Sequence, residues 1–350
     1  MKKQKLLTIG LILSLSLSIL VACQKQDSRK IKTVDTNKLQ ENGKNTNKKT
    51  DKTNKIAKEY GITVDKDTVS LVDALGEEVK IKKKPERVVV LFSSYIDMWV
   101  KNGGQLVGMV EDENMHNTSG LDGVEGVGKT GGLSLEKIIS LEPDLVILST
   151  GTTSQRELIP ALKNSNIDVL PLEYIGKDDY FKIATLFSLI NEREDLYEKN
   201  VVEVKKQIDE VIEKTPKDEE KKVFIMFATS KAISSRGSDS TLGEMLKDLN
   251  TINIADTSSD VLNDKNFSLE KVLEEDPEFI FVQTRGSDME AVNERIKKDV
   301  ESNPAWASLS AIKNDKYIIL PKDLYLYKAN DRYGEAYEGL AKILYPDIFK

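Results

Sequence analysis

The sequence LSLEKIISLEPDLVILSTG, residues 133–151, has a recognisable copy later in the chain, FSLEKVLEEDPEFIFVQTR, residues 267–285. Each copy begins with a serine that can cap a helix and continues with a glutamate in the first helical turn. A proline then ends the helix, and the apolar run after it predicts a buried strand. A helix that leads into a fully hydrophobic strand is half of an α/β unit. Because the unit occurs twice, the sequence predicts two similar α/β lobes.

Charge and composition limit the kinds of partner. The 350 residues include 51 Lys and Arg against 58 Asp and Glu, a formal net charge of −7. Loss of Lys2, Lys3 and Lys5 with a cleaved leader would leave 48 basic residues and a net charge of −10. Nucleic-acid binders depend on Lys and Arg to neutralise phosphates, so this balance argues against a nucleic-acid partner. Any basic site must therefore be local.

The N-terminus has the pattern of a secretory signal. A basic start is followed by the apolar run Leu6–Ala22, which ends in Leu20-Val21-Ala22-Cys23. This ending resembles the lipobox of bacterial lipoproteins, in which Cys23 becomes the lipidated first residue. The alternatives are a cleaved leader with a chance cysteine and a short membrane anchor. Cys23 is the only cysteine, which excludes an internal disulfide or thiolate metal site.

Strand and helix patterns alternate after the N-terminal segment and predict mainly parallel sheets, with any ligand at the C-terminal strand ends. The segment 178–214 contains no glycine or proline and predicts one helix of about 55 Å, with two helices broken near Asn191 as the alternative. The predicted organisation is a signal peptide (1–22), a disordered tether (23–58), an N-terminal α/β lobe (59–177), a connecting helix (178–214) and a C-terminal α/β lobe (215–350).

Several motifs in a fixed order resemble those of a known family, from about Val69 to Pro346. They are Asp73-Ala74-Leu75-Gly76, Pro85-Glu86-Arg87-Val88-Val89, the paired Ser-Leu-Glu-Lys units, Glu142-Pro143-Asp144-Leu145-Val146-Ile147 and Asn330-Asp331-Arg332-Tyr333-Gly334-Glu335-Ala336. The family comprises the substrate-binding proteins of ABC importers for iron-siderophores, haem and cobalamin, the class III periplasmic binding proteins. The resemblance implies two Rossmann-like lobes joined by one long helix.

The same resemblance implies a function. The protein would be a monomer, lipid-anchored at the extracytoplasmic face of the bacterial cell membrane. It would capture an iron complex between its lobes and deliver it to an ABC permease dimer. A siderophore is the favoured ligand, with haem or cobalamin as alternatives. No cofactor is expected, because iron arrives within the ligand.

The resemblance also implies a docking surface, because each lobe of these proteins presents a glutamate to basic residues of the permease. The matching positions are Glu136 and Glu270. The alternative is that each carboxylate only stabilises the start of its helix, by about 0.3 to 1 kcal/mol. The matched pair in two lobes favours docking.

Ligand-binding candidates follow from the expected cleft at the C-terminal strand ends. Arg285 ends a strand, where its guanidinium could bind a carboxylate or phosphate; the alternative is a surface ion pair with Asp288 or a nearby glutamate. The tyrosines could stack on a flat ligand or serve the fold. The principal candidates are Ser94, Tyr95, Met115, His116, Gln155, Arg236, Arg285, Tyr325 and Tyr327, with Ser93, Thr152, Tyr174 and Lys231 beside them.

His116 is the only histidine, and Met115 precedes it. Haem iron accepts both side chains, with Tyr325 or Tyr327 as a conceivable second ligand. Haem binders of the family, however, take their Met and His from opposite lobes, and the second lobe has no histidine. An exposed loop residue is the commoner role of a lone histidine, so no metal site of the protein's own is expected.

Two functions of other classes compete with import. An α/β enzyme is disfavoured, because no phosphate-binding glycine motif and no nucleophile elbow follows a strand. The lone histidine also has no obvious triad partner. A structural surface lipoprotein would explain the anchor and tether, but not two lobes with matched acidic helix starts.

Overall fold

A small antiparallel sheet precedes the two lobes. The computed structural model describes residues 57–112, 121–257 and 268–350. In this sheet β1 (Thr63–Val64) pairs with β2 (Thr68–Val72), which pairs with β3 (Glu78–Lys82). β2 and β3 form a hairpin whose inner side chains Val69 and Ile81 are buried in the core.

The first lobe, which we call the N-lobe, is built on a five-stranded parallel sheet. Its strand order is β6-β5-β4-β7-β8, so the order reverses at β4. In such sheets the crevice at the reversal, outside the C-terminal strand ends, is where ligands bind. The strands are β4 (Val88–Val90), β5 (Gly108–Glu111), β6 (Glu125–Lys129), β7 (Leu145–Ser149) and β8 (Asp168–Leu172). The helices are α1 (Ser93–Lys101), α2 (Leu135–Ser140), α3 (Thr153–Arg156), α4 (Ile159–Asn164) and α5 (Lys177–Ile190).

The segment 178–214 is not one helix, so the predicted bounds of the connecting helix are wrong. Helix α5 ends at Ile190, and Glu192 adopts a left-handed φ of 52°. The chain resumes as α6 (Glu194–Tyr197), a π-helical stretch (Glu198–Glu203) and α7 (Val204–Lys214), which follow one another without a break and together lead to the C-lobe. The Tyr180 hydroxyl of α5 donates to the carbonyl of Asn200, so the second segment turns back along the first. The alternative of a break near Asn191 is therefore correct.

The reason for the break lies in which faces are buried. Ten of the fourteen residues of α5 are buried, which makes it a core helix rather than a surface rod. In α7 only Val204, Ile208 and Val211 are buried, on one face. A helix enclosed on almost all sides ends inside its lobe, and the connection has to be made by the next helix.

The second lobe, the C-lobe, has another five-stranded sheet of order β10-β9-β12-β13, in which β11 also pairs with β9. All of its pairs are parallel except β9 with β10. Its strands are β9 (Lys221–Thr229), β10 (Ile233–Ser235), β11 (Thr251–Asn253), β12 (Phe279–Arg285) and β13 (Tyr317–Ile319). Its helices are α8 (Thr241–Asp248), α9 (Ile254–Thr257), α10 (Leu269–Glu275), α11 (Met289–Ile296), α12 (Ser310–Lys313), α13 (Lys322–Tyr325) and α14 (Tyr333–Leu344), with a π-helical stretch at Lys297–Glu301 and 3₁₀ turns at Pro304–Ser308 and Asn330–Arg332.

The repeated sequence unit is also a repeat of structure. Ser134 caps α2 by accepting from the backbone N–H of Lys137 at 3.2 Å, and Ser268 caps α10 in the same way through Lys271 at 3.4 Å. Both helices end at a left-handed residue before the proline, Glu142 with φ 46° and Asp276 with φ 40°. The strands that follow, β7 and β12, are buried along almost their whole length. The prediction of paired α/β units is confirmed.

The two lobes share one hydrophobic core. The largest cluster of buried side chains joins α5 of the N-lobe to β9, β12 and α14 of the C-lobe. The rings of Tyr180 and Tyr333 meet across the junction, with centroids 5.5 Å apart. Two smaller clusters lie on the outer faces of the two sheets. The lobes are therefore held together by packing as well as by the connecting helices.

Candidate ligand cleft and docking surface

The buried side-chain amide of Gln155 lies where the strand order of the N-lobe sheet reverses. Gln155 accepts from the backbone N–H of Ser149 at 2.7 Å and donates to the carbonyl of Leu91 at 2.7 Å. It thereby joins the ends of β7 and β4, and its side chain is fully buried. The sequence-based assignment of Gln155 to ligand binding is corrected: both of its polar atoms hold strand ends together.

Ser94 and Tyr95 lie in the first turn of α1, at the end of β4. Tyr95 is fully buried, and its ring packs on Phe92 and Tyr174 at centroid distances of 4.9 and 6.3 Å. Its predicted ligand contact is corrected to a core role, because the helix turns the ring inward. Ser94 is partly exposed, while its carbonyl accepts from Asn330 of the C-lobe at 3.1 Å.

Tyr325 is a structural residue of the C-lobe. It is 4% exposed, and its hydroxyl donates to the carbonyl of Ala336 at 3.0 Å. Burial, with Glu335 and Asp323 adding to it, raises the pKa of this tyrosine to about 12. The predicted ligand contact of Tyr325 is therefore corrected, since the ring anchors α13 to α14.

Arg285 has the position expected of an anion-binding residue. It is exposed at the end of β12, in register with Thr229 at the end of β9. Among the described residues, no carboxylate forms an ion pair with it. Asp288, the alternative partner, instead caps α11 by accepting from the Ala291 N–H at 3.0 Å. The ion pair with Asp288 is therefore not formed, and the guanidinium is available to a ligand.

The pKa of Tyr327 responds to charged groups of both lobes. Burial raises the pKa of Tyr327, the nearby carboxylate of Asp112 raises it further, and Arg285 acts in the opposite direction. Asp112 follows β5 of the N-lobe, whereas Tyr327 and Arg285 belong to the C-lobe. Tyr327 therefore lies within electrostatic range of a carboxylate of the N-lobe and a guanidinium of the C-lobe.

The remaining ligand candidates divide into one that is displaced and two that lie outside the described residues. Arg236 lies beside the middle of β9, not at its end, because its backbone N–H donates to Ile225 at 3.0 Å. Its guanidinium lies over the Phe227 ring at 4.3 Å. Met115 and His116 fall in the range 113–120, outside the described residues, so their assignments stay predictions. The same holds for Cys23.

Hydrogen bonds of the Asn330 side chain join the two lobes. Asn330 of the C-lobe is 3% exposed and accepts from the Tyr174 hydroxyl at 3.0 Å. Its amide nitrogen donates to Ser94 and to Asp97 at 3.1 and 3.0 Å. Sequence reasoning singled out the Asn330–Ala336 motif but gave it no role; the structure shows it to be an interlobe contact.

Lys177 forms a second tie, by bonding Glu244 and Asp248 of the C-lobe at 2.9 and 2.6 Å. Burial alone would lower the pKa of Lys177, but the hydrogen bonds to these two carboxylates outweigh it and raise the pKa. No local sequence pattern reports this pairing, because it joins residues far apart in the chain. Apolar packing and polar contacts therefore both hold the two lobes together.

Glu136 and Glu270 occupy equivalent places in the two lobes. Each is exposed in the first turn of its capped helix. Because each helix runs antiparallel to the strand that follows, its N-terminus lies at the edge where the strands end. No ion pair engages either carboxylate within the described part of the chain. Two uncompensated carboxylates therefore stand on the cleft side of the molecule, one per lobe.

The described residues contain neither a metal site nor a helix that could span a membrane. Over the described ranges, no group of His, Cys, Asp and Glu side chains has the arrangement of a metal site. Within the same ranges, no helix combines the length and apolar character needed to cross a bilayer.

The fold has two α/β lobes, and in each of them the strand order reverses in the way that creates a ligand crevice in open α/β sheets. Residues 88–324 match the family model described as periplasmic binding protein, and the chain belongs to this family. The ABC transporter substrate-binding lipoprotein YvrC of Bacillus subtilis is 28% identical over 291 residues, covering 81% of this chain and 87% of that protein. The Fe(3+)-citrate-binding protein YfmC of the same organism is 25% identical over 269 residues, covering 75% and 81%.

Solved structures agree on the fold. The petrobactin-binding protein YclQ of Bacillus subtilis superimposes with a TM-score of 0.65 at 19% identity, covering 81% of this chain and all of that one. The two-lobed α/β architecture is confirmed. The family model and the YvrC relative confirm the assignment to a substrate-binding rather than an enzymatic family.

Proposed function

We propose that this protein is the lipid-anchored substrate-binding component of an ABC importer, and that it carries a ferric siderophore complex to the permease. The observation that carries the proposal is the matched pair Glu136 and Glu270, exposed and uncompensated at the same position of both lobes. Arg285 lies at the C-terminal end of β12 in the C-lobe. The iron-binding name of YfmC supports the choice of an iron complex.

The carboxylates can act as docking points because they are already placed for contact. A carboxylate at a helix N-terminus is held by the helix dipole without needing a cationic neighbour. An exposed, unpaired Glu can then form charge-assisted hydrogen bonds to Arg or Lys of a partner. Two such contacts, one per lobe, fix both the position and the orientation of the protein on a permease dimer.

The docking experiment replaces both carboxylates and measures two quantities separately. In cells that express the cognate permease, Glu136→Arg/Glu270→Arg is expected to abolish uptake of the ⁵⁵Fe-labelled ligand. Its dissociation constant for that ligand, measured by titration of the purified protein, should be unchanged. The matched control is Glu86→Arg/Glu220→Arg, which makes the same charge change at two exposed positions that precede β4 and β9, at the opposite ends of the strands. Unchanged uptake by the first variant would rule out docking through these residues.

The anchor and the ligand have direct tests of their own. Cys23→Ala should release the protein from the membrane fraction, and mass spectrometry of the native N-terminus should show acylation at Cys23. Protein purified from its host should carry an iron complex, identified by absorbance and mass spectrometry. A Soret band would identify haem instead and overturn the siderophore assignment.

A further inference from the structure

The C-lobe sheet has an open edge at β13. Within the described residues, β12 is the only strand that pairs with β13. The Lys316 carbonyl accepts from β12 at 3.0 Å, and the Leu320 N–H donates to β12 at 2.9 Å. Because backbone groups alternate in direction along a strand, the N–H and C=O of Tyr317 and Ile319 point away from β12. These groups can therefore pair with a further strand.

A surface groove of about 590 Å³ borders this open edge, and we call it the edge groove. One wall is β13, where the side chains of Tyr317 and Ile319 lie on the same face of the sheet. The other wall is α11 with the π-helical stretch that follows it. Ile319 is 55% exposed, which is unusual for a large apolar side chain in a strand. An open edge beside an apolar side chain is a surface to which an extended peptide can add.

The helical wall of the edge groove is acidic. The exposed Glu290 and Glu294 line it one helical turn apart, and Glu301 follows in the π-helical stretch. Lys297 is the one basic residue of the lining. In the described part of the chain, no cation forms an ion pair with Glu290 or Glu294. Negative charge without a paired cation therefore lies beside the free backbone groups of β13.

These features together determine which occupant fits. Outward N–H and C=O groups of a strand bind an extended backbone rather than a helix. Alternate side chains of an added strand face the same side of the sheet as α11, where carboxylates favour Lys or Arg. A second copy of this chain fits less well, because its formal net charge of −7 would bring further negative charge to an acidic groove.

We infer that the edge groove binds an extended segment of a partner protein with Lys or Arg at alternate positions, which pairs with β13 as a further strand of the C-lobe sheet. The groove is separate from the junction between the lobes, because Tyr317 packs against the hydrophobic cluster on the outer face of the sheet. The inference therefore goes beyond ligand capture and does not depend on the identity of the cargo.

The test titrates labelled peptides with detergent-solubilised full-length protein and follows fluorescence anisotropy. An alternating Lys-Val peptide should bind at low ionic strength, and added salt should weaken its binding. Two control peptides, one with Glu in place of Lys and one with a central Pro, should bind roughly tenfold more weakly. Equal binding of all three peptides would overturn the inference.

Charge reversal in the helical wall tests the acidic part of the site. Glu290→Lys/Glu294→Lys should weaken binding of the Lys-Val peptide roughly tenfold and make the Glu-Val peptide the better ligand. The matched control, Glu86→Lys/Glu220→Lys, makes the same charge change at exposed positions outside the groove and should leave both affinities unchanged. Equal effects of the two double variants would mean that net charge alone attracts the peptide, and would overturn the inference.

A proline in β13 tests the added strand itself. Ile319→Pro removes an N–H that points away from β12, so the pairing with β12 is kept. It should bind the Lys-Val peptide roughly tenfold more weakly than Ile319→Ala, which keeps that N–H. Thermal melts show whether both variants fold, and the charge-reversal pair tests the site if Ile319→Pro does not.

Two results would overturn strand addition. The first is equal affinity of Ile319→Pro and Ile319→Ala for the peptide. The second is a wild-type dimer in sedimentation that Ile319→Pro abolishes, which would assign the edge to a second copy of this chain. Both results would leave the proposed function standing, because that function is measured by uptake of the ⁵⁵Fe-labelled ligand.

Discussion

Replacement of Asn330 by alanine should loosen the junction between the lobes. The side chain makes three hydrogen bonds, to Tyr174, Ser94 and Asp97, all of which belong to the N-lobe. It is 3% exposed, so water cannot easily replace the lost partners. At about 1 kcal/mol for each bond, the expected loss is roughly 3 kcal/mol of unfolding free energy.

The cost of the lost hydrogen bonds must be separated from the cost of placing alanine in a left-handed backbone conformation. Asn330 has a left-handed φ of 52°, a conformation that costs alanine roughly 1–2 kcal/mol. Asn166 supplies the control, because it has a φ of 58° and an exposed side chain without a hydrogen bond to the described residues. Asn166→Ala therefore reports the backbone cost alone.

Urea unfolding of both variants gives the difference directly. Asn330→Ala should be less stable than Asn166→Ala by about 3 kcal/mol, and melting should show a further drop of roughly 6–12 °C. A difference below about 1 kcal/mol would refute the reasoning, because it would mean that the interlobe hydrogen bonds contribute little.

Two further predictions concern a buried charge and a close contact. Burial lowers the pKa of Lys328 to about 8, against the opposing effect of nearby carboxylates. Between pH 8 and 10 the unfolded chain, with a lysine pKa of about 10.4, binds up to one more proton at this residue, which raises the unfolding free energy with pH by up to about 2 kcal/mol. Tyrosines whose pKa burial raises, such as Tyr325 and Tyr345, act in the opposite direction, and they do so in the wild type and in Lys328→Met alike. In urea titrations the unfolding free energy of the wild type relative to that of Lys328→Met should therefore rise over this range, and a constant difference would contradict the assignment. Gly104→Ala would place a Cβ 2.1 Å from the buried Trp99 Nε1 and should cost about 1–3 kcal/mol, whereas Gly131→Ala meets no atom within 4 Å and should be neutral in the same melts.

Local signals in the sequence were sufficient for the secondary structure of the repeated unit. Ser134 and Ser268 cap their helices, and the prolines that follow precede buried strands, because each signal acts over only a few residues. Strands β1, β6, β10 and β11 have no comparable signal in the sequence. They are short, and β6 contains two glycines, which weaken both periodicity and propensity.

The sequence left one helix and a break near Asn191 both open, because Asn191, Glu192 and Arg193 include neither glycine nor proline. A usable signal was nevertheless present. Residues 181–190 are apolar on nearly every side, whereas residues 204–214 are apolar on one face only. A change from all-round to one-sided burial marks two helices with different surroundings.

The prediction of site residues met a different difficulty. A position at a strand end predicts the edge on which a residue lies, but not the direction of its side chain. Tyr95 and Gln155 are on the right edge and point into the protein. For Arg285 the outcome depended on whether Asp288 would form an ion pair or cap a helix, and sequence alone leaves both open. The Asn330 contacts join distant segments and have no local signature.

The shared core has a consequence for how a partner would engage this protein. Rotating the lobes apart would bring the interface around Tyr180 and Tyr333 into contact with water, which opposes large opening. The distance between Glu136 and Glu270 is then fixed by the fold and does not change when cargo binds. Under the docking proposal, the permease would meet the same distance between the two carboxylates whether or not cargo is bound. It would therefore have to distinguish the empty from the loaded protein by contact with the cleft surface.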